Sequence, residues 1–127
     1  MTTIKSFSDL QQSKVLAEIL PLESADMIYV HTIDLEGDEH YDIDFRYKNP
    51  LFEDDVCAWS LAALLGVIPK HIKDYNVLRI DIAEDDFAIW YDEIGYGVNN
   101  DLPNITMESA VDACVAMIER LYELKML

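Results

Sequence analysis

Residues 27–47 read MIYVHTIDLEGDEHYDIDFRY, and they carry the clearest structural signal in the chain. The first part, Met27 to Leu35, is rich in β-branched and aromatic residues, which favour strands. Glu36-Gly37-Asp38 has the composition of a turn. From Tyr41 to Tyr47 apolar and polar side chains alternate, as they do in a strand with one buried face. The segment therefore predicts an antiparallel hairpin with a slightly extended connection.

Two further segments, Val77 to Ile82 and Phe87 to Tyr91, predict a second hairpin because both have strand composition. A charged turn, Glu84-Asp85-Asp86, joins them. Alternation along the second segment places Trp90 and Asp92 on the face opposite to that of its first residue.

Apolar periodicity and capping residues predict three helices around these hairpins. They run from about Ser8 to Ile19, from Asp54 or Asp55 to about Leu65, and from Asn104 or Thr106 through an apolar stripe that ends at Tyr122. The order is α-β-β-α-β-β-α. It predicts a single α+β domain over residues 1–127, with about four mainly antiparallel strands (two hairpins) in one sheet, packed by two to three helices.

The charge of the chain is far from balanced. Nine Lys and Arg stand against 25 Asp and Glu, which gives a formal net charge of −16. No Lys or Arg occurs from Val15 to Phe45 or from Ile80 to Glu119. Self-repulsion of this size opposes compaction, but an apolar content of 51% argues for a core and against disorder. We therefore expect an apolar interior under an acidic surface.

The same charge disfavours direct binding to nucleic acid and to anionic membranes, because both attract basic patches. The N-terminus has no run of signal-peptide length, and the longest apolar stretch, Ala58 to Ile68, is too short to cross a bilayer. These features predict a cytoplasmic protein. Cys57 and Cys114 fall at apolar positions and are expected to be buried thiols.

No catalytic residue, cofactor or metal ion is predicted. The acidic window from Asp34 to Asp44 suggests calcium, but counting from Asp34 puts Glu39 and Phe45 where an EF-hand loop needs Gly and Glu. A looser, weak divalent site at this turn stays open. The histidines lack metal-ligand spacing, and no nucleophile elbow, P-loop or dinucleotide fingerprint is present.

The candidate interaction surface consists of the acids of the two hairpins together with one aromatic residue. Carboxylates at strand spacing can compete for a groove that holds phosphates, and electrostatic steering would speed association with a basic partner. Trp90 beside carboxylates suits an interface hot spot, although helices on both sheet faces would bury it instead. The predicted partner-binding residues are Asp34, Glu36, Asp38, Asp42, Asp44, Asp81, Glu84, Asp85, Asp86, Trp90 and Asp92.

Several short segments occur in an order known from a bacterial family. They are Tyr41 to Phe45, the Leu-rich Leu61 to Leu65, Val77 to Asp81 and Ala88 to Trp90. Over Ile28 to Leu102 the chain resembles the domain-of-unknown-function family 2442, with Lys48-Asn49-Pro50 in place of that family's Gly-containing turn. The family has no established catalytic residues. Its members often lie beside small toxin-like genes, so the resemblance implies an antitoxin role.

These features together predict a non-catalytic acidic protein that binds a basic protein partner, including a nucleic-acid-binding protein. An antitoxin, an immunity protein or inhibitor, and a phage-type nucleic-acid mimic would all bind their partners in this way. The alternative is a structural or assembly domain that dimerises through its C-terminal helix, from Val111 to Tyr122. A small carboxylate-based enzyme is a further alternative, because any two of the acids could converge. Whether the protein is a monomer or a homodimer stays open.

Overall fold

The computed structural model of the protein describes residues 5–45 and 54–127. In these residues three α-helices accompany two antiparallel sheets, so the predicted α+β class is confirmed. The predicted strand count is wrong, because the described residues hold eight strands, four of which have only two or three residues. Segments this short lie below the length over which alternation can be recognised in a sequence.

The first sheet contains the first predicted hairpin. β1 (Met27–Ile33) pairs with β2 (Glu39–Phe45) in antiparallel register, from Met27 opposite Phe45 to Ile33 opposite Glu39. A short strand, β3 (Val56–Ala58), pairs with the other edge of β1. Among the described residues the strand order is therefore β2-β1-β3, which puts β2 at an edge.

The second sheet contains the second predicted hairpin. It begins with β4 (His71–Ile72), which pairs with β5 (Asn76–Ile82). β5 in turn pairs along its length with β6 (Phe87–Glu93), which confirms the hairpin. Two short strands, β7 (Gly97–Val98) and β8 (Ile105–Met107), both pair with β6.

Side chains cap all three helices. α1 (Leu10–Ile19) begins at a capping box, in which the Asp9 carboxylate accepts from the Gln12 backbone N–H and the Gln12 side chain accepts from the Asp9 N–H. α2 (Leu61–Val67) and α3 (Ala110–Glu123) follow Ser60 and Ser109, whose hydroxyls each accept a backbone N–H three residues on. Asp9 rather than the expected Ser8 caps α1, because the Ser8 hydroxyl bonds elsewhere.

The predicted helix from Asp54 or Asp55 to Leu65 is wrong in its first half. Val56–Ala58 is a strand on the edge of β1, and the helix starts only after Ser60. A short apolar run fits a buried strand as well as a buried helix, so its periodicity cannot decide between them. The last helix likewise starts later than expected, at Ala110, because Ile105–Met107 pairs with β6.

The core lies between α3 and the inner face of β6, with α1 and α2 packed against α3. Phe87, Ile89 and Tyr91, which alternation placed together on one face, are buried on that inner face. The buried side chains of α3 are Val111, Ala113, Cys114, Val115, Met117, Ile118 and Leu121.

Both cysteines are buried, as predicted. Burial raises the pKa of the Cys114 thiol to about 11. Trp59 is also fully buried, and its indole N–H donates to the Ser24 hydroxyl at 2.9 Å. In the described residues no helix has the length and apolar character needed to cross a membrane.

Candidate interaction surface

The turn of the first hairpin is organised around Asp34. One carboxylate oxygen accepts the backbone N–H groups of Glu36 and Asp38, each at 2.9 Å, and the other lies 2.8 Å from the His40 ring nitrogen Nε2. Gly37 supplies the left-handed backbone conformation that the turn needs, with φ at 87°. The hydrogen bond with His40, followed by those from the backbone, holds the pKa of Asp34 below its ordinary value.

The three acids of this turn are close enough to be compared with a metal site. Ligand oxygens of Asp34, Glu36 and Asp38 lie within 4.8 Å of one another, and all three residues are exposed. The oxygens of Asp34 already accept hydrogen bonds that close the turn. These hydrogen bonds explain why the three acids lie close together, and we assign no ion to this turn.

The remaining acids of the first hairpin lie along β2. Asp42 and Asp44 are exposed and stand opposite Val30 and Ile28 of β1. The predicted alternation is present, because the intervening Ile43 is half-buried on the other face.

That other face of the first sheet lies on the side of α1. The His31 and Tyr41 rings lie 4.8 Å apart, and the Lys14 ammonium sits 5.9 Å from the centre of the Tyr41 ring. Phe45 differs from the expectation of a packed face, because it is 71% exposed at the end of the strand.

The second hairpin presents a mixed outer face. The register of β5 and β6 sets Asp81 opposite Ala88, Arg79 opposite Trp90 and Val77 opposite Asp92. Asp81, Trp90 and Asp92 therefore share one face, as alternation predicted, and it is opposite to the buried face of β6. Trp90 is half-buried, and its indole N–H donates to the Asp92 carboxylate at 2.9 Å.

Arg79 lies in the middle of this face and was missed in the sequence prediction. Its Nε atom is 3.4 Å from an Asp92 carboxylate oxygen, diagonally across the two strands. The alternation of Val77, Arg79 and Asp81 along β5 is the signal that could have identified it. The outer face is thus an aromatic ring framed by one cation and two acids rather than a purely acidic surface.

The turn of the second hairpin borders a groove of about 400 Å³. Glu84, Asp85 and Asp86 are exposed, and the turn is closed by a bond from the Ala83 N–H to the Asp86 carbonyl at 2.9 Å. The groove is lined by both apolar and acidic side chains. Its lining residues are Lys5, Leu61, Ile82, Ala83, Glu84, Asp86, Phe87, Glu108, Ser109 and Ala110.

Lys5, in this groove, connects the beginnings of two helices. Its ammonium lies 2.9 Å from the Asp9 carboxylate and 2.8 Å from that of Asp112, which also accepts from the Gln12 amide at 2.8 Å. Partial burial opposes ionisation of these groups, but their hydrogen bonds outweigh it. The pKa of Lys5 is therefore raised, and the pKa values of Asp9 and Asp112 are lowered.

The two hairpins of the described residues lie in different sheets rather than in the one predicted sheet, so their acids do not share a sheet face. Asp42 and Asp44 belong to the first sheet, whereas Asp81 and Asp92 belong to the second. The inner strand of each hairpin already has a neighbour on its other side: β3 beside β1, and β7 and β8 beside β6. The two hairpins therefore cannot pair with each other through those strands.

Ion pairs neutralise few of the predicted partner-binding acids. Within residues 5–45 and 54–127, Lys and Arg pair with Asp9, Asp112, Asp92 and Glu123. Of these acids only Asp92 belongs to the predicted set, and Asp34 pairs with a histidine. The predicted acids without a Lys or Arg partner in the described residues are Asp34, Glu36, Asp38, Asp42, Asp44, Asp81, Glu84, Asp85 and Asp86.

Comparison with known proteins gives no relative from which a role could be transferred. No family model, no curated protein and no solved structure matches this chain. The resemblance to the domain-of-unknown-function family 2442 therefore stays a prediction.

Proposed function

We propose that this is a non-catalytic cytoplasmic protein that binds a basic protein partner through its acidic hairpins. The observation that carries the proposal is the set of exposed hairpin acids that have no Lys or Arg partner among the described residues. Acids that hold a fold together are usually paired or hydrogen-bonded, as Asp9 and Asp112 are. The hairpin acids without a Lys or Arg partner are exposed, and we take their carboxylates as the contact points for a partner.

Such a surface favours fast and salt-sensitive association. Complementary charge raises the rate of encounter and selects against acidic competitors. The attraction between exposed charges falls once their separation exceeds the Debye length, about 8 Å at physiological ionic strength. An antitoxin, an immunity protein and a nucleic-acid mimic would all use the surface in this way.

The outer face of β5 and β6 supplies an anchor for such a complex. Trp90 is half-buried there and is held by the Asp92 carboxylate, so little side-chain freedom is lost on binding. Trp and Arg are enriched among residues that dominate binding energy. Trp90 and Arg79 therefore complement the surrounding acids, which act mainly on rate and specificity.

The alternative of a dimer through the C-terminal helix has little surface to use. The apolar face of α3 is buried in the core of its own chain. Near its end the exposed large apolar side chains are Tyr122, Leu124 and Leu127, at 51%, 40% and 41% exposure. For the enzyme alternative, the carboxyl pKa values that shift at Asp9, Asp34 and Asp112 are all lowered. A general acid at neutral pH needs a raised carboxyl pKa.

The proposal can be tested by capture from the native cell with three immobilised proteins. One is the wild type, one carries Glu84→Gln, Asp85→Asn and Asp86→Asn, and the control carries Glu18→Gln, Glu23→Gln and Asp101→Asn. Both variants remove three exposed acids, so they differ in where the charge is lost and not in how much. We expect a basic protein that the wild type and the control retain at low salt, that high salt elutes, and that the hairpin variant retains poorly.

Equal retention of that protein by both variants would show that the position of the removed acids has no effect, and would contradict the hairpin turn as part of the binding surface. Retention unchanged at high salt would contradict the electrostatic basis of the proposal.

A further inference from the structure

The outer edge of β2 is an unpaired strand edge in the part of the chain that the structure describes. β2 pairs with β1 along all seven of its residues, and no described strand pairs with its other side. Such an edge presents N–H and C=O groups that can pair with another strand, and proteins often block it with charged side chains, especially Lys, with Pro or with a bulge. Glu39–Phe45 contains neither Lys nor Pro, and its register with β1 is continuous.

Two hydrogen bonds establish which backbone groups of β2 point outward. The Asp34 N–H donates to the Asp38 carbonyl at 3.0 Å, so this pair is hydrogen-bonded across the hairpin. The N–H of His31, which stands opposite Tyr41, instead donates to the Asp55 carboxylate at 3.2 Å, on the side of β3. Hydrogen-bonded and non-hydrogen-bonded pairs therefore alternate from the turn onward, as antiparallel ladders require.

The non-hydrogen-bonded positions of β2 are Glu39, Tyr41, Ile43 and Phe45. Their N–H and C=O groups face away from β1. The N–H of Phe45 fits this assignment, because it donates to the neighbouring Asp44 carboxylate at 2.8 Å rather than to β1. An incoming strand would find a regular row of donors and acceptors at the middle of β2.

The charge along this edge determines what kind of strand it fits. Glu39, Asp42 and Asp44 are exposed, and none of them pairs with a Lys or Arg in the described residues. Two copies of β2 side by side would bring carboxylates against carboxylates, which is destabilising. A strand with Lys or Arg at these positions would be stabilised by the same acids.

We infer that the outer edge of β2 is the docking strand for an extended basic segment of the partner. The segment adds to the first sheet through main-chain hydrogen bonds, and the acids of β2 select its charge. This inference rests on the proposed function and specifies that the partner binds the edge of β2 through an extended basic segment.

The probe for this inference is a synthetic ten-residue peptide of alternating Lys and Thr with blocked ends. Its control has the same sequence and charge but carries a methyl group on every backbone nitrogen, so it has no N–H to pair with the strand edge. Amide hydrogen exchange, measured by NMR on the wild-type protein, should slow at Tyr41 and Ile43 when the first peptide is added. The inward amides of His40 and Asp42 already bond to β1 and should change little. The control peptide should protect neither pair.

A pair of variants tests the edge by affinity. Glu39→Pro removes an outward N–H at the first residue of the strand, where Pro is tolerated. Glu39→Ala removes the same carboxylate, with its 3.3 Å contact to the His31 ring, but keeps the N–H. The Pro variant should bind the peptide about twofold to tenfold more weakly than the Ala variant, the range expected for one net hydrogen bond. Equal affinities would overturn the inference. Should Glu39→Pro disturb the hairpin, the exchange measurement on the wild type still decides.

The outcomes separate this inference from the proposed function. Peptide binding that protects amides of β5 or β6, with Tyr41 and Ile43 unchanged, overturns edge docking and leaves the acidic binding surface intact. The same holds if the peptide fails to bind although a basic cellular protein is captured in a salt-sensitive way. Protection of Tyr41 and Ile43 that grows with protein concentration without peptide would indicate a second copy on this edge, and would also overturn the inference.

Discussion

Replacing Ser8 by Ala should destabilise the protein through a single buried hydrogen-bond centre. Ser8 is fully buried, and its hydroxyl oxygen accepts the Trp59 backbone N–H at 3.0 Å. The same hydroxyl lies 2.8 Å from the hydroxyl of Ser13, which is also fully buried. The bonds tie the segment before α1 to the chain between β3 and α2. The Tyr29 hydroxyl adds a bond to the Ser8 carbonyl, which the substitution leaves in place.

The magnitude follows from what the substitution leaves without a partner. In Ser8→Ala the Trp59 N–H loses its acceptor in a buried place, which costs about 1–3 kcal/mol. The Ser13 hydroxyl keeps the Ser8 carbonyl at 3.5 Å as a weak acceptor, so its contribution to the loss is small. We expect the free energy of unfolding to fall by about 2 kcal/mol. With a urea m-value of about 2 kcal/mol per M, the midpoint should fall by about 1 M.

The assay is urea unfolding followed by tryptophan fluorescence, with Ser13→Ala as the matched control. Ser13→Ala removes a buried hydroxyl of the same size but leaves the Trp59 N–H bonded to Ser8. Its cost should therefore be smaller than that of Ser8→Ala, at about 1 kcal/mol or less. If Ser13→Ala destabilises as much as Ser8→Ala, then the orphaned Trp59 N–H is not the cause and the reasoning is refuted.

Three further predictions concern charge, acidity and thiol reactivity. The pKa values of Asp9 and Asp112 are lowered in the folded protein, so the stability that these groups add is fully present above their unfolded pKa of about 4. The free energy of unfolding should therefore fall as the pH drops through the lowered values. Lys5→Met should make this fall smaller when unfolding is measured against pH. Arg79→Gln should change the free energy of unfolding by less than about 1 kcal/mol, because the Arg79 side chain is 56% exposed. The same change should speed association with a basic partner in stopped-flow measurements, and a slower rate would contradict the acidic surface as the source of steering. Cys114 should react with a disulfide reagent only as fast as the protein opens, because it is buried and its pKa is raised to about 11; rapid labelling of the folded protein would contradict its burial.

The parts of the fold that could be predicted are those that depend on residues close together in the sequence. The Glu36-Gly37-Asp38 turn predicted the first hairpin, and alternation from Phe87 to Tyr91 predicted which residues of β6 share a face. Alternation also brought Trp90 and Asp92 together correctly, because the two residues lie on one strand. These features need only the local geometry of a strand.

The parts that could not be predicted depend on pairing between distant segments. Val56–Ala58 is a strand because β1 offers it an edge, and nothing within those three residues reveals that edge. The acids are separated into two sheets because β3 pairs with β1, whereas β7 and β8 pair with β6. The groove lined by Lys5 and Glu108 is formed by residues that are remote in the chain, so local sequence patterns cannot predict it. Arg79 could have been predicted, because strand alternation alone places it on the same face as Asp81 and beside Asp92.

The most direct test of the account is the salt dependence of affinity for the captured basic partner. The wild type, the variant with three acids removed at residues 84–86 and the control with three acids removed at Glu18, Glu23 and Asp101 should be compared by calorimetry across ionic strengths. We predict that affinity of the wild type falls steeply with salt, that the control follows the same slope, and that the hairpin variant binds more weakly with a shallower slope. An affinity that stays the same from low to high salt would contradict the claim that the unpaired hairpin acids are the binding surface.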